Sequence, residues 1–356
     1  MSISTCIINL TLPQIKELVA SQGEPTHRVL QLQRWIYQSY ARSFAEMSDL
    51  PNSFRRFLTE NYSLHCLNPT EEITAKDGTV KTLFRLDDGN TIESALMPHD
   101  DGKNGVRYTV CLSTQVGCPI GCSFCTTGQQ GFERNLSAGE MIDQVLYFAH
   151  RLKEQGQSII NLVFMGMGEP LLNYDSLIQA LHTLVSPQRF ALGARHITLS
   201  TSGLVPQIKL LSQEKLQVGL AISLHAADNS LRDRLVPVNR KYPLVQLITA
   251  CREYYEETGR RISFEYILLR RINDSIEQAR ALAILLKGLN CHVNLIPANP
   301  GGDTMFQASD RNTVLAFQQE LRHSHITCTV RQRMGLDIAA GCGQLRSRIS
   351  KSLIGL

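Results

Sequence analysis

From about residue 107 onward the chain alternates short apolar runs with amphipathic ones, and nothing else in the sequence limits the fold so strongly. The apolar runs are YTVCLS (108–113), IINLVFM (159–165), HITLST (196–201), VGLAISL (218–224), ISFEYILL (262–269), HVNLIP (292–297) and ITCTVR (326–331). Each has strand length and is largely continuous in its apolar character, as strands buried on both faces are. Between them Ser137-Ala138-Gly139-Glu140 reads as a capping box opening MIDQVLYFAHRLKE, and YDSLIQALHTLV, PLVQLITACREYYEE, IEQARALAILLKGL and TVLAFQQELRH also have helical spacing. Such repeats predict an α/β fold with a parallel sheet covered by helices. Six or seven of them predict a barrel or partial barrel, with functional residues at the C-terminal ends of the strands.

The first third of the chain reads differently. LPQIKELVASQG (12–23), THRVLQLQRWIYQSY (26–40) and SFRRFLTENY (53–62) carry apolar residues at helical spacing, and Leu50-Pro51-Asn52 reads as a helix entry. Residues 70–98 alternate, with Asp88-Gly89 as a hairpin turn. The expected organisation is a small N-terminal helical accessory domain (1–65), a strand-rich region (66–106), the barrel (107–346) and a basic tail (347–356).

At 43% hydrophobic and 19% charged residues over 356 positions, the chain has enough apolar material for a core and is not of the disordered class. No apolar stretch approaches about 18 residues, and the N-terminus has no basic segment ahead of an apolar one. The expectation is a soluble cytoplasmic protein with no membrane partner. The net charge of +4 is concentrated at the end: Arg322, Arg331, Arg333, Arg346, Arg348 and Lys351 face one acid, Asp337. Such a run suits a phosphate backbone or a solvated surface, and both readings stand.

Ten cysteines suit burial, metal binding or catalysis in a reducing compartment better than disulfide pairing. Cys6, Cys66, Cys251, Cys291 and Cys328 are isolated, and Cys291 and Cys328 sit in strand-like runs as small buried hydrophobes. Cys118, Cys122 and Cys125 are spaced Cx3Cx2C just after the first strand of the repeating region. A closed zinc site or a ferredoxin-type cluster takes four protein ligands. Three thiolates on one loop leave one iron of a [4Fe–4S] cluster open, and Gly117 and Gly121 let such a loop wrap closely. Zinc and unrelated buried thiols are the competing readings.

That spacing resembles the radical S-adenosylmethionine (SAM) enzymes, and Met165-Gly166-Met167-Gly168-Glu169-Pro170 resembles the segment that binds the SAM amino group in them. A glycine clears room in such a turn and the carboxylate supplies charge for an ammonium. CTTGQQGFERNL (125–136), LAISLHA (220–226), LVPVNRKYP (235–243), NLIPANP (294–300) and GLDIAAGCGQLR (335–346) resemble the RlmN/Cfr family of RNA adenosine methyltransferases, in one order from Glu93 to Arg346. The resemblance implies a partial (β/α) barrel with an N-terminal helical accessory domain.

It also implies chemistry. Cys118, Cys122 and Cys125 would hold one [4Fe–4S] cluster, and Gly168, Glu169, Ser200, Ser223, Leu224, His225 and Asn299 would contact SAM. Methyl transfer to an amidine-type carbon of adenine is not open to direct attack, because that carbon is not a nucleophile. The family route first places a methyl group on a cysteine, here Cys342, and joins it to the base by a radical step. Glu93 would take the proton from the base, and Cys111 would release the RNA by attacking the Cys342 sulfur. The implied substrates are 23S rRNA and tRNA, with a reductant such as flavodoxin. Arg34, Arg42, Arg55, Arg56 and the basic C-terminal run are candidate phosphate contacts. The Gly-Glu-Pro triplet and LAISLHA favour carbon 2, while CTTG and FALGARHITLSTSG drift toward the carbon-8 branch. A non-catalytic iron–sulfur RNA-binding protein is the reading from another class, and it leaves Cys111 and Cys342 without roles.

Overall fold

The computed structural model describes residues 5–100, 102, 105–299, 306–341 and 343–345. The chain begins with β1 (Thr5–Cys6), followed by helices α1 (Leu12–Ser21), α2 (His27–Arg34) and α3 (Asn52–Asn61), and β2 (Tyr62–Ser63), which pairs in parallel with β1. Thr11 and Gln14 form a capping box at α1, and Pro51 sets the entry to α3. The run 26–40 is not one continuous helix. Past Arg34 it widens into a π-type turn, Trp35–Ser39, and stops at Tyr40 with φ +58°.

Three antiparallel strands follow, β3 (Leu67–Thr74), β4 (Val80–Leu86) and β5 (Thr91–Asp100), with the turn at Asp88-Gly89 between the last two. They lead into β6 (Val106–Cys111) and a small ribbon of β7 (Gln115–Gly117) and β8 (Phe132–Asn135), with the short helix α4 (Thr126–Gln129) between. The repeating units are α5 (Ala138–Lys153), β9 (Ile159–Phe164), α6 (Tyr174–Val185), β10 (Ile197–Thr201), α7 (Val205–Gln213), β11 (Gly219–Ser223), α8 (Asn229–Leu235), α9 (Leu244–Thr258), β12 (Ile262–Leu268), α10 (Ile276–Leu286), β13 (Cys291–Pro297), α11 (Arg311–His323) and β14 (Cys328–Val330).

All of the apolar runs expected as strands are strands. The sheet order is β14-β13-β12-β11-β10-β9-β6-β5-β4-β3. From β6 to β14 every pairing is parallel, and the antiparallel strands extend the β6 edge. Because β14 and β3 end the order, the sheet is open, as a partial barrel is. Its strands bury Leu199, Ile222, Phe264, Tyr266, Val293 and Leu295 completely or nearly so.

The Ser137–Glu140 capping box forms as expected: Ser137 Oγ accepts from Glu140 N at 3.1 Å, and Glu140 Oε2 accepts from Ser137 N at 2.7 Å. Helix α5 is buried on most sides because the first segment packs on it. Gly139 N donates to Asn9 Oδ1 (2.9 Å), while buried Asp143 accepts from Cys66 N (2.8 Å) and Leu67 N (3.0 Å) and pairs with His65 Nδ1 (2.7 Å). Here the cysteine expectation is corrected. Cys6 and Cys66, isolated in sequence and 60 residues apart, are joined as a disulfide, with Cα atoms 5.6 Å apart. Cys251, Cys291 and Cys328 are buried free thiols. Among the described residues no helix is long and apolar enough to cross a membrane.

Candidate functional site

A cavity of about 350 Å³ opens at the C-terminal ends of the parallel strands, between the Cx3Cx2C loop and the loop that follows β14. Cys111 ends β6, Met165 follows β9, Ser200 lies on β10, Ser223 ends β11, Ile267 is on β12 and Pro297 ends β13, and all face it. This is where a parallel strand–helix fold gathers functional groups.

The loop 118–125 is fixed at both ends. Cys118 N donates to Gly131 O at 2.7 Å, and Ser123 N donates to Leu235 O at 3.1 Å. Gly117 has φ +75°, and a Cβ there would stand 2.0 Å from Gly131 O, so only glycine lets the β7–β8 ribbon close. Cys118, Cys122 and Cys125 all line the cavity. Burial pushes the Cys118 thiol up to about 12, and Glu169 and Cys125 add to the rise. Burial also drives Cys122 well above the usual thiol range, with Cys125 and Cys118 next. Cys118 and Cys122, buried beside a third thiol, need a positively charged partner to ionise, and a [4Fe–4S] cluster fits that donor set. Among the described residues no three His, Cys, Asp or Glu side chains converge on a single metal ion.

The turn after β9 is tight. Met167 N donates to Ser113 Oγ (2.9 Å), and Glu169 N donates to Gln115 Oε1 (2.8 Å). Gly168 has φ +102°, and a Cβ there would lie 2.6 Å from Gln115 Cβ. The Glu169 carboxylate is buried and already partnered: Oε2 accepts from Ser202 N and Oγ, both at 2.7 Å, and Oε1 accepts from Leu171 N at 3.2 Å. Burial raises its pKa against those hydrogen bonds. These bonds shape the turn, and Gly168, Glu169 and Pro170 all line the cavity.

Ser200 and Ser223 stand side by side, Oγ to Oγ 3.3 Å. His225 has φ +62°, and its Nδ1 accepts from Ile267 N at 3.0 Å, which leaves the proton on Nε2. Burial, with Arg232 adding to it, lowers its pKa to about 3, so the ring is neutral. Phe124 packs edge-on against it, centroids 4.8 Å apart. Leu224 is fully buried and does not line the cavity; its main chain accepts from Arg232 and donates to Glu265 O. Asn299 lines the cavity, and a Cβ on Gly341 would lie 2.2 Å from its Nδ2.

Cys342 lies outside the described residues. Its neighbours Gly341 and Gly343 both line the cavity. Thr126 N donates to Gly343 O (2.9 Å), and Thr127 Oγ1 donates to Leu345 O (2.6 Å), so this loop is hydrogen-bonded directly to the residues after Cys125.

Among the described residues lining the cavity Glu93 is absent. It is buried in β5, with Lys81 Nζ 3.3 Å from its Oε1. Lys81 and Cys111 both stand opposite Ala95, on either side of β5. Directly opposed residues share a face, and Glu93 is two positions from Ala95, so Lys81, Glu93 and Cys111 lie on one face of the sheet. The alternate position, Ser94, turns to the other face and bonds Gln144 of α5.

Several residues escaped the sequence reading. Arg232 is completely buried and donates to Leu224 O, Asn239 Oδ1, Ser202 O and Ser223 O. Nothing in NSLRDRL marks it out. Glu265 lines the cavity, accepts from Asn294 Nδ2 at 2.9 Å and faces Arg331 at 3.9 Å; burial raises its pKa. It had a signal, as the one charge in the apolar run ISFEYILL. Arg331 and Arg333 line the cavity, Arg322 and Arg333 are exposed, and Arg346, Arg348 and Lys351 lie outside the described residues. In the accessory segment Arg34 pairs with Asp49 (2.5 Å), Arg42 with Glu154 (3.6 Å), Arg55 donates to Ala45 O (2.7 Å), and Arg56 is exposed.

Comparison with known proteins agrees with this geometry. The sequence model of the Radical SAM superfamily matches residues 112–283, and that of the ribosomal RNA large subunit methyltransferase N-terminal domain matches residues 5–64. A protein of Syntrophobacter fumaroxidans named dual-specificity RNA methyltransferase RlmN is 47% identical over 340 residues, 96% of this chain and 97% of the relative. One of Geobacillus kaustophilus, named probable dual-specificity RNA methyltransferase RlmN, is 44% identical over 345 residues, 97% and 93% of the two chains. The crystal structure of a radical SAM methyltransferase from Sphaerobacter thermophilus superposes with a TM-score of 0.93 at 47% identity, covering 96% of this chain and 99% of that one. With the cysteine loop, the glycine-rich turn and the accessory helices all in place, the chain belongs to the RlmN family of radical SAM methyltransferases.

Proposed function

We propose that this enzyme methylates carbon 2 of adenosine in two RNAs, 23S rRNA at the peptidyl transferase centre and tRNA at the adenosine 3′ of the anticodon, through a methyl group carried on Cys342. One observation carries the reading: Cys111 and both neighbours of Cys342 line the same cavity as the three cluster cysteines. A non-catalytic iron–sulfur protein has no use for that arrangement.

When bound at Cys118, Cys122 and Cys125, the cluster supplies the electron that generates a 5′-deoxyadenosyl radical from SAM. The chain supplies the rest. Ser200 and Ser223 offer hydroxyls at adjacent strand ends, neutral His225 offers its Nε2–H, and the Gly168 turn offers main-chain groups. Cys342 thiolate takes the methyl group of one SAM, loses one hydrogen atom from it to the 5′-deoxyadenosyl radical made from a second SAM, and bonds through that carbon to carbon 2 of the flipped adenine; the adduct radical gives up one electron, which the oxidised cluster would take back. Glu93 takes the proton from carbon 2. Cys111 thiolate then attacks the Cys342 sulfur and breaks its bond to the new carbon; that carbon keeps the bonding electron pair and takes up a proton to become the methyl group, and the Cys111–Cys342 disulfide left behind is reduced by a cytosolic thiol.

The test is nucleoside mass spectrometry of 23S rRNA and tRNA after anaerobic reaction with the reconstituted enzyme. 2-Methyladenosine in both supports the reading. 8-Methyladenosine overturns the position and keeps the residues in their roles. No 5′-deoxyadenosine from the loaded, reduced enzyme overturns the catalytic reading altogether. Cys111→Ala should leave RNA covalently attached through Cys342.

A further inference from the structure

The sheet extension formed by β3 and β4 has a use that the family assignment does not supply. The loop leading to Cys342 rests on it. Gly335 N donates to Asp77 Oδ2 (2.7 Å), Lys76 N donates to Asp337 Oδ2 (3.1 Å), and Lys81 Nζ donates to Ala339 O (3.3 Å). The two chains fit closely: Gly335 has φ +61°, and a Cβ there would stand 3.1 Å from the Thr79 side chain. Lys81 is the deepest of these contacts, at 4% exposure, and the same ammonium is 3.3 Å from the Glu93 carboxylate, at 2%. A lysine buried to this degree is costly without a countercharge, and so is a buried glutamate. Each answers the other, and a second ammonium proton reaches the loop.

We propose that Lys81 is a positioning residue for methyl transfer: it holds the Glu93 carboxylate at its place on β5 and, through Ala339 O, seats the 335–341 loop over it. This rests on the reading of Glu93 as the base. The geometry gives the arrangement two consequences. The carboxylate is buried together with the ammonium, so it does not meet bulk water. When Glu93 takes the proton from carbon 2, the Lys81 ammonium loses its countercharge and leans more on Ala339 O, so proton transfer and loop seating are coupled through one side chain. Register explains why the pair meets. Lys81 stands opposite Ala95 and Leu83 stands opposite Glu93, which makes Lys81 and Glu93 diagonal neighbours on one face, within reach of a long side chain.

The test compares Lys81→Met, Lys81→Arg and Glu93→Gln with the wild type by two readouts. The first is hydrogen exchange in the cofactor-free protein. Losing one buried hydrogen bond at Ala339 should speed exchange across residues 335–341 about tenfold in Lys81→Met, with β10–β13 unchanged and with Lys81→Arg restoring protection. The second is the amount of RNA left covalently attached per 5′-deoxyadenosine formed. Glu93→Gln should raise it by about 100-fold, as loss of a general base does, and Lys81→Met by about tenfold, with Lys81→Arg near wild type. If Glu93→Gln accumulates attached RNA while Lys81→Met releases it at the wild-type rate, the proposal falls and the base assignment stands. If Glu93→Gln itself releases RNA normally, the base assignment falls, and the proposal with it. Should Lys81→Met fail to fold, the double variant Lys81→Met/Glu93→Gln removes both charges. Loop exchange no faster in it than in Glu93→Gln alone overturns the seating.

Discussion

Replacing Arg232 by methionine should weaken both the fold and the SAM site. The guanidinium is fully buried and donates to three main-chain carbonyls, Leu224 O (3.0 Å), Ser202 O (2.6 Å) and Ser223 O (3.1 Å), and to Asn239 Oδ1 (2.8 Å). These groups close the ends of β10 and β11. Methionine fills similar length but leaves four acceptors in a dry interior without a donor, at about 1–1.5 kcal/mol each. The desolvation cost of the charge is recovered in part, which leaves a loss of about 4 kcal/mol. Unfolding entropy of about 2 cal/mol/K per residue makes about 0.75 kcal/mol per degree for a chain of 356 residues, so Tm should fall by about 5 °C. Scanning calorimetry on the cofactor-free protein avoids ligand stabilisation. Ser200 and Ser223 should shift with the strand ends, and SAM binding to the reconstituted enzyme should weaken about tenfold, roughly the equivalent of one lost hydrogen bond. Arg232→Lys keeps the charge without the fork and should fall between the two. A Tm within 1 °C of wild type, or SAM affinity unchanged at the lower Tm, would refute the account of Arg232 as the tie between these strand ends.

Other outcomes follow from the same geometry. His225 is held neutral by burial, with Arg232 next, and its pKa drops from 6.5 to about 3. The unfolded chain therefore binds the extra proton first, so this stabilisation is complete above about pH 6.5 and is lost as the pH falls from there toward 3. Urea melts between pH 7 and 4 should show a shallower decline in His225→Gln than in wild type. Asp143→Asn keeps the size but loses the anion that accepts from Cys66 N, Leu67 N and His65; it should lower stability by about 2 kcal/mol, read as an earlier urea midpoint. Gly168→Ala forces a side chain into φ +102° and onto Gln115, and should abolish SAM binding by equilibrium dialysis while the far-ultraviolet circular dichroism is kept. Alanine at any one of Cys118, Cys122 or Cys125 should bring bound iron and sulfide after reconstitution close to zero, as metal analysis would show.

Much of this protein was legible in the chain itself. The parallel strands, the α5 capping box, the Asp88-Gly89 turn and the cysteine loop depend on neighbours within a few residues, and their periodicity and spacing are written in order. The likeness of its motifs to a known family extended that reading to most of the cavity. Other features required the tertiary structure, because they join segments far apart in the chain. The β3–β5 meander belongs to the main sheet because β5 pairs with β6. Glu169, at the cavity wall, accepts from Ser202, 33 residues away. Cys6 meets Cys66 only because β1 pairs with β2. Lys81 meets Glu93 and Ala339 only through strand register and the docking of a loop 258 residues further on. Local pattern decides which face a side chain takes, and packing of distant segments decides what it finds there. A buried charge gains its partner at that second step, which is why Arg232, Lys81 and Glu265 carried little or no warning in sequence of what they would hold.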